Sequence, residues 1–312
     1  MVHRKIGVVT DPIFHKHDTG PEHPESAERL LVIEEAIKGI GDLGVQIPAR
    51  PATRDELLLI HIPEYVDHIL NLKIMDRIAL EPETIMSQNT PKAALKAVGG
   101  VLAAIDQAID GNLSRSFCAV RPPGHHAEPD KAMGFCIFNN VAIGAAYAIK
   151  KYYLNRIAIV DWDLHHGNGT QDAFYKSDQV LYISLHQSPF YPGTGTVDEI
   201  GNGAGAGYTI NIPMVAGSSD QDFRDAFDEI VLPALRNYGP ELILISAGFD
   251  AHQDDPIGSL YLTSPYFGEM TRNLVDIAEQ VCYGRLISVL EGGYGRDILR
   301  ESVEYHLKEL IK

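Results

Sequence analysis

Three residues pose the first chemical question: Asp163 and His165 in the segment DWDLHHGNGT, 161–170, and Asp250 in SAGFDAH, 246–252. They offer two carboxylates and one imidazole. A catalytic zinc site commonly takes three protein ligands and leaves a further position for water or substrate. Asp163 and His165 are separated by one residue, so on an extended strand end both side chains point the same way. Asp250 can join them from a neighbouring strand end. Oxygen and nitrogen donors without thiolate fit Zn2+, and Fe2+, Mn2+ or Co2+ fit as well. Each residue alone reads as readily as a helix cap or a satisfied core histidine; the three together do not.

His125 and His126 follow Gly124 as a tandem pair in RPPGHHA, 121–127. Adjacent histidines at a strand end can serve as general base and acid if their partners set their protonation. Asp161 is the obvious carboxylate for one, and Asn168 a neutral partner for the other. A carboxylate raises an imidazole's basicity and an amide leaves it nearer neutral, so two partners give two roles. Tyr294 follows Gly292 and Gly293, and glycine lets a chain turn sharply and approach a ligand. Gly293 is therefore counted with the substrate-binding residues. A tyrosine hydroxyl at that turn could donate to a carbonyl oxygen as it becomes an oxyanion, and the segment reads equally well as a turn tyrosine packing on the surface.

Such residues need a frame. Short apolar runs at Ile6–Thr10, Phe117–Arg121, Ile157–Asp161, Val180–Leu185, Tyr208–Ile212, Leu242–Ser246 and Leu286–Leu290 read as strands. Helical patterns lie between them at Ala27–Lys38, Lys92–Asp110, Asn139–Tyr153, Asp220–Tyr238 and Pro265–Val281. Unbroken apolar strands are buried on both faces, as in parallel sheets covered by helices. Their alternation with helices predicts an α/β fold with right-handed crossovers. Open parallel sheets bind ligands beyond the carboxyl ends of their strands, and four of the strands end in the chemistry just named. The glycine-rich GNGAGAG at 201–207 lacks the helix and acidic residue of a dinucleotide site and reads as a loop. No repeat or linker divides the chain, so residues 1–312 are expected to form one catalytic domain.

Composition narrows the partners. Hydrophobic residues make up 45% of the chain, ample for a large core. No segment approaches the ~18 apolar residues that would span a bilayer, so no membrane role is expected. The opening segment lacks the apolar stretch of a signal peptide. Three cysteines without close pairing argue against a disulfide framework, so a cytoplasmic location is expected. A formal net charge of −16 argues against a general nucleic-acid binder; it reads as a solubility surface or as suited to a cationic partner such as a lysine-rich tail or a polyamine. A homo-oligomer is compatible with the sequence.

The motifs RPPGHHA, GFCIFNN, VDWDLHHGNGTQ, SLHQSPFYPGTG, SAGFDAH and LEGGY, in that order, resemble the histone deacetylase and acetylpolyamine amidohydrolase superfamily. The resemblance runs from about Thr10 to the C-terminus, and its wording is closer to the class II enzymes and their bacterial or archaeal relatives. It implies the arginase–deacetylase fold, a mainly parallel sheet of about eight strands flanked by helices. It also implies hydrolysis of an acylated amine by metal-activated water, with zinc on Asp163, His165 and Asp250. His126 would be the principal base and acid, His125 an electrostatic partner linked to Asp161, and Tyr294 the donor to the scissile carbonyl. Gly134 and Phe135 would build the acyl tunnel, with Tyr191 opposite. Structural K+ is implied on Asp161, Ser184 and the main chain of Asp163, His165 and Leu185, with a second site near Phe174, Ser177 and Val180.

Some polyamine-selective members of the superfamily carry glutamate at the rim position that Ile257 occupies. An apolar residue there favours acyl-lysine in a peptide or protein over an acetylpolyamine. Glu83 could supply a rim carboxylate. The alternative to an enzyme, a protein that only holds acylated ligands, is disfavoured because ligands, histidines and tyrosine are all present.

Overall fold

The computed structural model describes residues 3–312. Ten strands form in chain order: β1 Ile6–Val9, β2 Gly44–Gln46, β3 Ile78–Glu81, β4 Thr84–Met86, β5 Arg115–Cys118, β6 Ile157–Asp161, β7 Val180–Gln187, β8 Thr209–Met214, β9 Leu242–Ala247 and β10 Leu286–Leu290. Eight of them make one sheet in the order β2-β1-β5-β10-β9-β6-β7-β8, and every pairing in it is parallel. The helices are α1 Glu28–Gly39, α2 Arg54–Leu57, α3 Pro63–Asn71, α4 Thr90–Ile109, α5 Asn140–Tyr152, α6 Asn168–Phe174, α7 Asp220–Ala226, α8 Leu232–Tyr238, α9 Ser264–Val281 and α10 Arg296–Leu310.

Every residue of β6, β9 and β10 is buried. That requires cover on both faces of the sheet's centre, and IAIVD, LILISA and LISVL carry the near-continuous apolar character it demands. Helix α4 packs with α5, and α1, α9 and α10 pack together as a second group. The register aligns the carboxyl ends of the central strands, pairing Asp161 with Ser246, Ala247 with Leu290, and Val289 with Cys118. From β6 the chain runs outward to β7 and β8, then returns to β9 on the other side of β6. That reversal is where an open parallel sheet forms a crevice.

The sequence pattern and the structure part company in a few places. The strand expected at Phe117–Arg121 starts two residues earlier and ends three earlier, at Arg115–Cys118, since the chain breaks off at Cys118 to reach Pro122 and Pro123. The helix expected over Asp220–Tyr238 contains a π turn at Phe227–Val231. Pro233, which has no N–H to give the helical ladder, follows two residues after its end. The short elements β2, β3, β4, α2, α3 and α6 were below the length at which periodicity speaks. Helix α10 is longer, but its polar composition masks a buried stripe of Leu299, Val303, Leu307 and Leu310.

Candidate metal centre and active site

Beyond β6 the chain leaves the strand and bends, yet the alternation survives. Trp162 and Leu164 point into the core, and Asp163 and His165 point to the crevice. The loop after β9 brings Asp250 to them. One ligand atom from each of Asp163, His165 and Asp250 lies within 4.8 Å of the other two, and all three residues are buried. His165 Nδ1 stands 3.1 Å from Asp163 Oδ1 and 3.2 Å from Asp250 Oδ2. Asp250 Oδ2 has no aligned hydrogen-bond donor. A buried carboxylate oxygen without a partner is costly, so an orphan facing an imidazole and a second carboxylate fits a divalent cation. Burial alone would lower His165, but the two carboxylates beside it outweigh that and hold it up to about 9. The other carboxylate oxygens are tied to backbone: Leu164 N–H donates to Asp250 Oδ1 at 3.0 Å and Gly292 N–H to Asp163 Oδ2 at 2.8 Å. A Cβ at Gly292 would collide with both carboxylates.

The tandem histidines arrive from the loop after β5 with different partners. His125 Nδ1 lies 3.0 Å from Asp161 Oδ2, and His126 Nδ1 lies 2.8 Å from Asn168 Oδ1. Burial would lower His125, but the charges of Asp161, Asp163 and Glu291 overcome it and keep its pKa well above the ordinary value. Burial pushes His126 well below that value, and the nearby His125 and His165 push the same way. One imidazole is thus held charged and the other neutral, the division that the unlike partners predict.

Tyr294 is half-buried, and burial beside Asp250 and Asp163 drives its hydroxyl well above the ordinary pKa. Its turn is held from two sides. Asp255 Oδ2 accepts from the N–H of Tyr294 at 2.8 Å and of Gly295 at 3.2 Å. Arg29 donates to the carbonyls of Gly293 and Glu291, both at 2.6 Å, and lies over the Tyr294 ring. A pocket of about 320 Å³ is lined by His125, His126, His165 and Tyr294, with Gly134, Phe135, Phe190, Tyr191, Gly292, Ile257 and Glu83 among its walls. Phe135 has φ of 68°, rare for a non-glycine residue, and Thr84 Oγ1 accepts its N–H at 3.1 Å. The hairpin β3–β4, detached from the main sheet, therefore braces one tunnel wall and brings Glu83 to the rim.

Most residues singled out by sequence meet here. Gly292 lines the pocket, and Gly293 behind it turns its carbonyl to Arg29. Asp161 pairs in register with Ser184, beside Leu185. The Ser184 hydroxyl is engaged by His186 Nδ1 at 2.9 Å. Phe174, Ser177 and Val180 gather in the turn from α6 to β7. Asp255, Arg29 and Glu291 also belong to this site, and none of them stands out in the sequence as a site residue. Glu291 is fully buried, its Oε2 accepts from Gly124 N–H at 2.7 Å and from His125 N–H at 3.2 Å, and burial raises it to about 7. Its place inside LEGGY was the available signal; nothing local marked Asp255 or Arg29.

Comparison with known proteins points to one family. The model of the Histone deacetylase domain matches residues 23–310. A probable deacetylase of Archaeoglobus fulgidus is 41% identical over 295 residues, covering 92% of this chain and 82% of that protein. Histone deacetylase HDA1 of Saccharomyces cerevisiae is 39% identical over 323 residues, 96% of this chain but 45% of the yeast protein. The crystal structure of the HDA15 HD domain superposes with a TM-score of 0.94 at 35% identity, over 99% of this chain and 90% of that one. The chain belongs to the histone deacetylase family. It is an amide hydrolase of the deacetylase kind, with the fold of that family's domains. Among the described residues, no helix is long and apolar enough to cross a membrane.

Proposed function

We propose that the chain, acting as one catalytic unit, removes an acyl group, acetyl first, from lysine side chains in peptides or proteins. The observation that carries this is the Asp163–His165–Asp250 cluster at the base of a narrow pocket whose walls include His126 and Tyr294. Asp163, His165 and Asp250 would hold the divalent ion, with Zn2+ the first choice. When bound, such an ion supplies Lewis-acid polarisation of the amide carbonyl and an acidified water. His126 is the base: its Nδ1 faces Asn168, its neutrality suits proton uptake, and its imidazolium then gives the proton to the leaving amine. His125, kept charged by Asp161, adds positive potential beside the developing oxyanion. Tyr294 stays protonated and donates to that oxygen. K+ on the main chain around Asp161, Ser184 and Leu185 would neutralise the buried carboxylate beneath the site, and a second ion in the Phe174–Val180 turn is proposed alongside it.

Apolar Phe135, Phe190 and Ile257 on the pocket walls suit the methylenes of a lysine, and Ile257 offers no charge to a second ammonium group. A side-by-side assay with purified, metal-quantified protein tests the reading, with His126→Ala as control. Faster turnover of an acetyl-lysine peptide than of an acetylpolyamine, lost in the variant, supports it. The reverse preference keeps the mechanism and transfers the substrate to polyamines. Cleavage of neither with zinc bound overturns the deacetylase assignment for these amides.

A further inference from the structure

Asn168 stands between His126 and a carboxylate that the chemistry above does not use. Its Oδ1 faces His126 Nδ1, and on the far side its Nδ2 donates to Glu128 Oε1 at 2.7 Å. Met133 Sδ at 3.3 Å and the His126 carbonyl at 3.4 Å complete the surroundings of that amide nitrogen. Glu128 is itself anchored: its N–H donates to the Lys131 carbonyl at 3.0 Å, and its carbonyl lies 3.0 Å from His61 Nδ1. Its side chain is 27% exposed, with Lys131 Nζ 3.3 Å from Oε2.

An amide has two ends of like size and opposite hydrogen-bonding sense. With Oδ1 toward His126, the imidazole must carry its hydrogen on Nδ1, and Nε2 keeps a lone pair. With the amide turned over, Nδ2 donates to Nδ1, the hydrogen moves to Nε2, and that nitrogen can accept no proton. The choice is therefore made by whatever holds the other end of Asn168. An ionised carboxylate accepts and does not donate, so it takes the NH2 and leaves the oxygen for the histidine. We propose that Glu128 is a positioning residue that fixes the Asn168 amide and thereby holds His126 with Nδ1 protonated and Nε2 free. The proposal rests on His126 being the base in the reading above.

A charge exchange tests it in the zinc-loaded chain of 312 residues. Glu128→Lys replaces an acceptor with a group that only donates, demanding Oδ1 of Asn168 and turning the amide over. The side chain borders an open cleft of about 330 Å³, so a lysine there need not invade the core. On an acetyl-lysine peptide kcat should fall about 10²-fold, the lower range of a lost proton-transfer group, with KM nearly unchanged. The double variant Glu128→Lys/Asn168→Asp restores a donor facing an acceptor and should recover kcat to within about tenfold of wild type. Nitrogen-15 NMR of the imidazoles reads the tautomer without any turnover: Nδ1–H in wild type and Nε2–H in Glu128→Lys. A double variant no better than the single one overturns the proposal. So does a wild-type His126 in the Nε2–H form, which needs no variant to fold. Absent turnover with the expected tautomers would instead count against the deacylase reading alone.

Discussion

The floor and the rim of the pocket are built by opposite rules. On the floor, Asp161, Asp163, His165 and Asp250 are buried at strand ends, and backbone N–H groups fix three of the four. At the rim, Tyr191 is 43% exposed on a long loop and Glu83 sits at the tip of a detached two-stranded hairpin. Buried charge must be fully partnered or ligated, so each floor side chain has one tolerable position. An exposed side chain pays little for moving, so the rim can vary without unfolding anything. Chemistry and selectivity are thus separable in this molecule.

That separation is broken first at the metal. Asp163→Asn keeps the shape but removes the charge that faces His165. Loss of the ion withdraws several kcal/mol of transition-state stabilisation, so kcat/KM should fall by about 10³-fold or more. Metal content measured on the same sample should fall with it. Full metal occupancy together with lost activity would mean that the carboxylate does something other than hold the ion. Tyr294→Phe comes next. Removing one donor from the oxyanion should lower kcat by about 10²-fold with metal content unchanged. An equal loss confined to KM would make the hydroxyl a substrate-binding group instead.

A second contrast sharpens the first. His165 and His306 are both buried imidazoles, yet the carboxylates around His165 hold it up while His306 is pushed down to about 3 by burial. Its neighbours are hydroxyls, Thr271 Oγ1 at 2.6 Å and Ser288 Oγ at 2.9 Å. A depressed histidine resists protonation in the folded state while the unfolded chain takes protons below about 6.5. Its stabilisation is therefore complete above that pH and is lost as pH falls toward 3. Between pH 7 and pH 5 this single group should cost about 2 kcal/mol. Urea midpoints across that range should fall less steeply for His306→Gln than for wild type. Parallel slopes would show that His306 is not protonated on unfolding.

The same division governs what could be read from the amino acids. The strands IAIVD and LISVL were legible to the residue because burial on both faces leaves no polar interruption. The Asp163–His165–Asp250 cluster could be picked out because metal chemistry restricts residue types, and tandem histidines with one acidic and one amide partner narrow the roles open to them. What escaped was held by tertiary contact alone. Asp255 and Arg29 act on Tyr294 through backbone groups distant in sequence, and nothing in DDPIG or AERLL advertises that. The hairpin β3–β4 is too short to show alternation, although it braces Phe135 through Thr84.

The smallest expected effect tests the rim itself. Ile257 lines the pocket, so Ile257→Glu adds a carboxylate where a second ammonium group of a polyamine would pass. A partly exposed ion pair is worth about 0.2–1 kcal/mol, which is a preference of at most about fivefold. The ratio of kcat/KM for an acetylpolyamine to that for an acetyl-lysine peptide should rise by that much at low ionic strength and shrink toward wild type in 0.5 M salt, where screening shortens to a few ångströms, about 4 Å. Turnover of the peptide itself and metal content should hardly move, because the floor does not feel a charge that water can solvate. A ratio that rises and then ignores salt would show that the new carboxylate acts by shape. Loss of activity toward both substrates would show that rim and floor are coupled after all, and that the loops around the mouth position the catalytic groups as well as select among substrates.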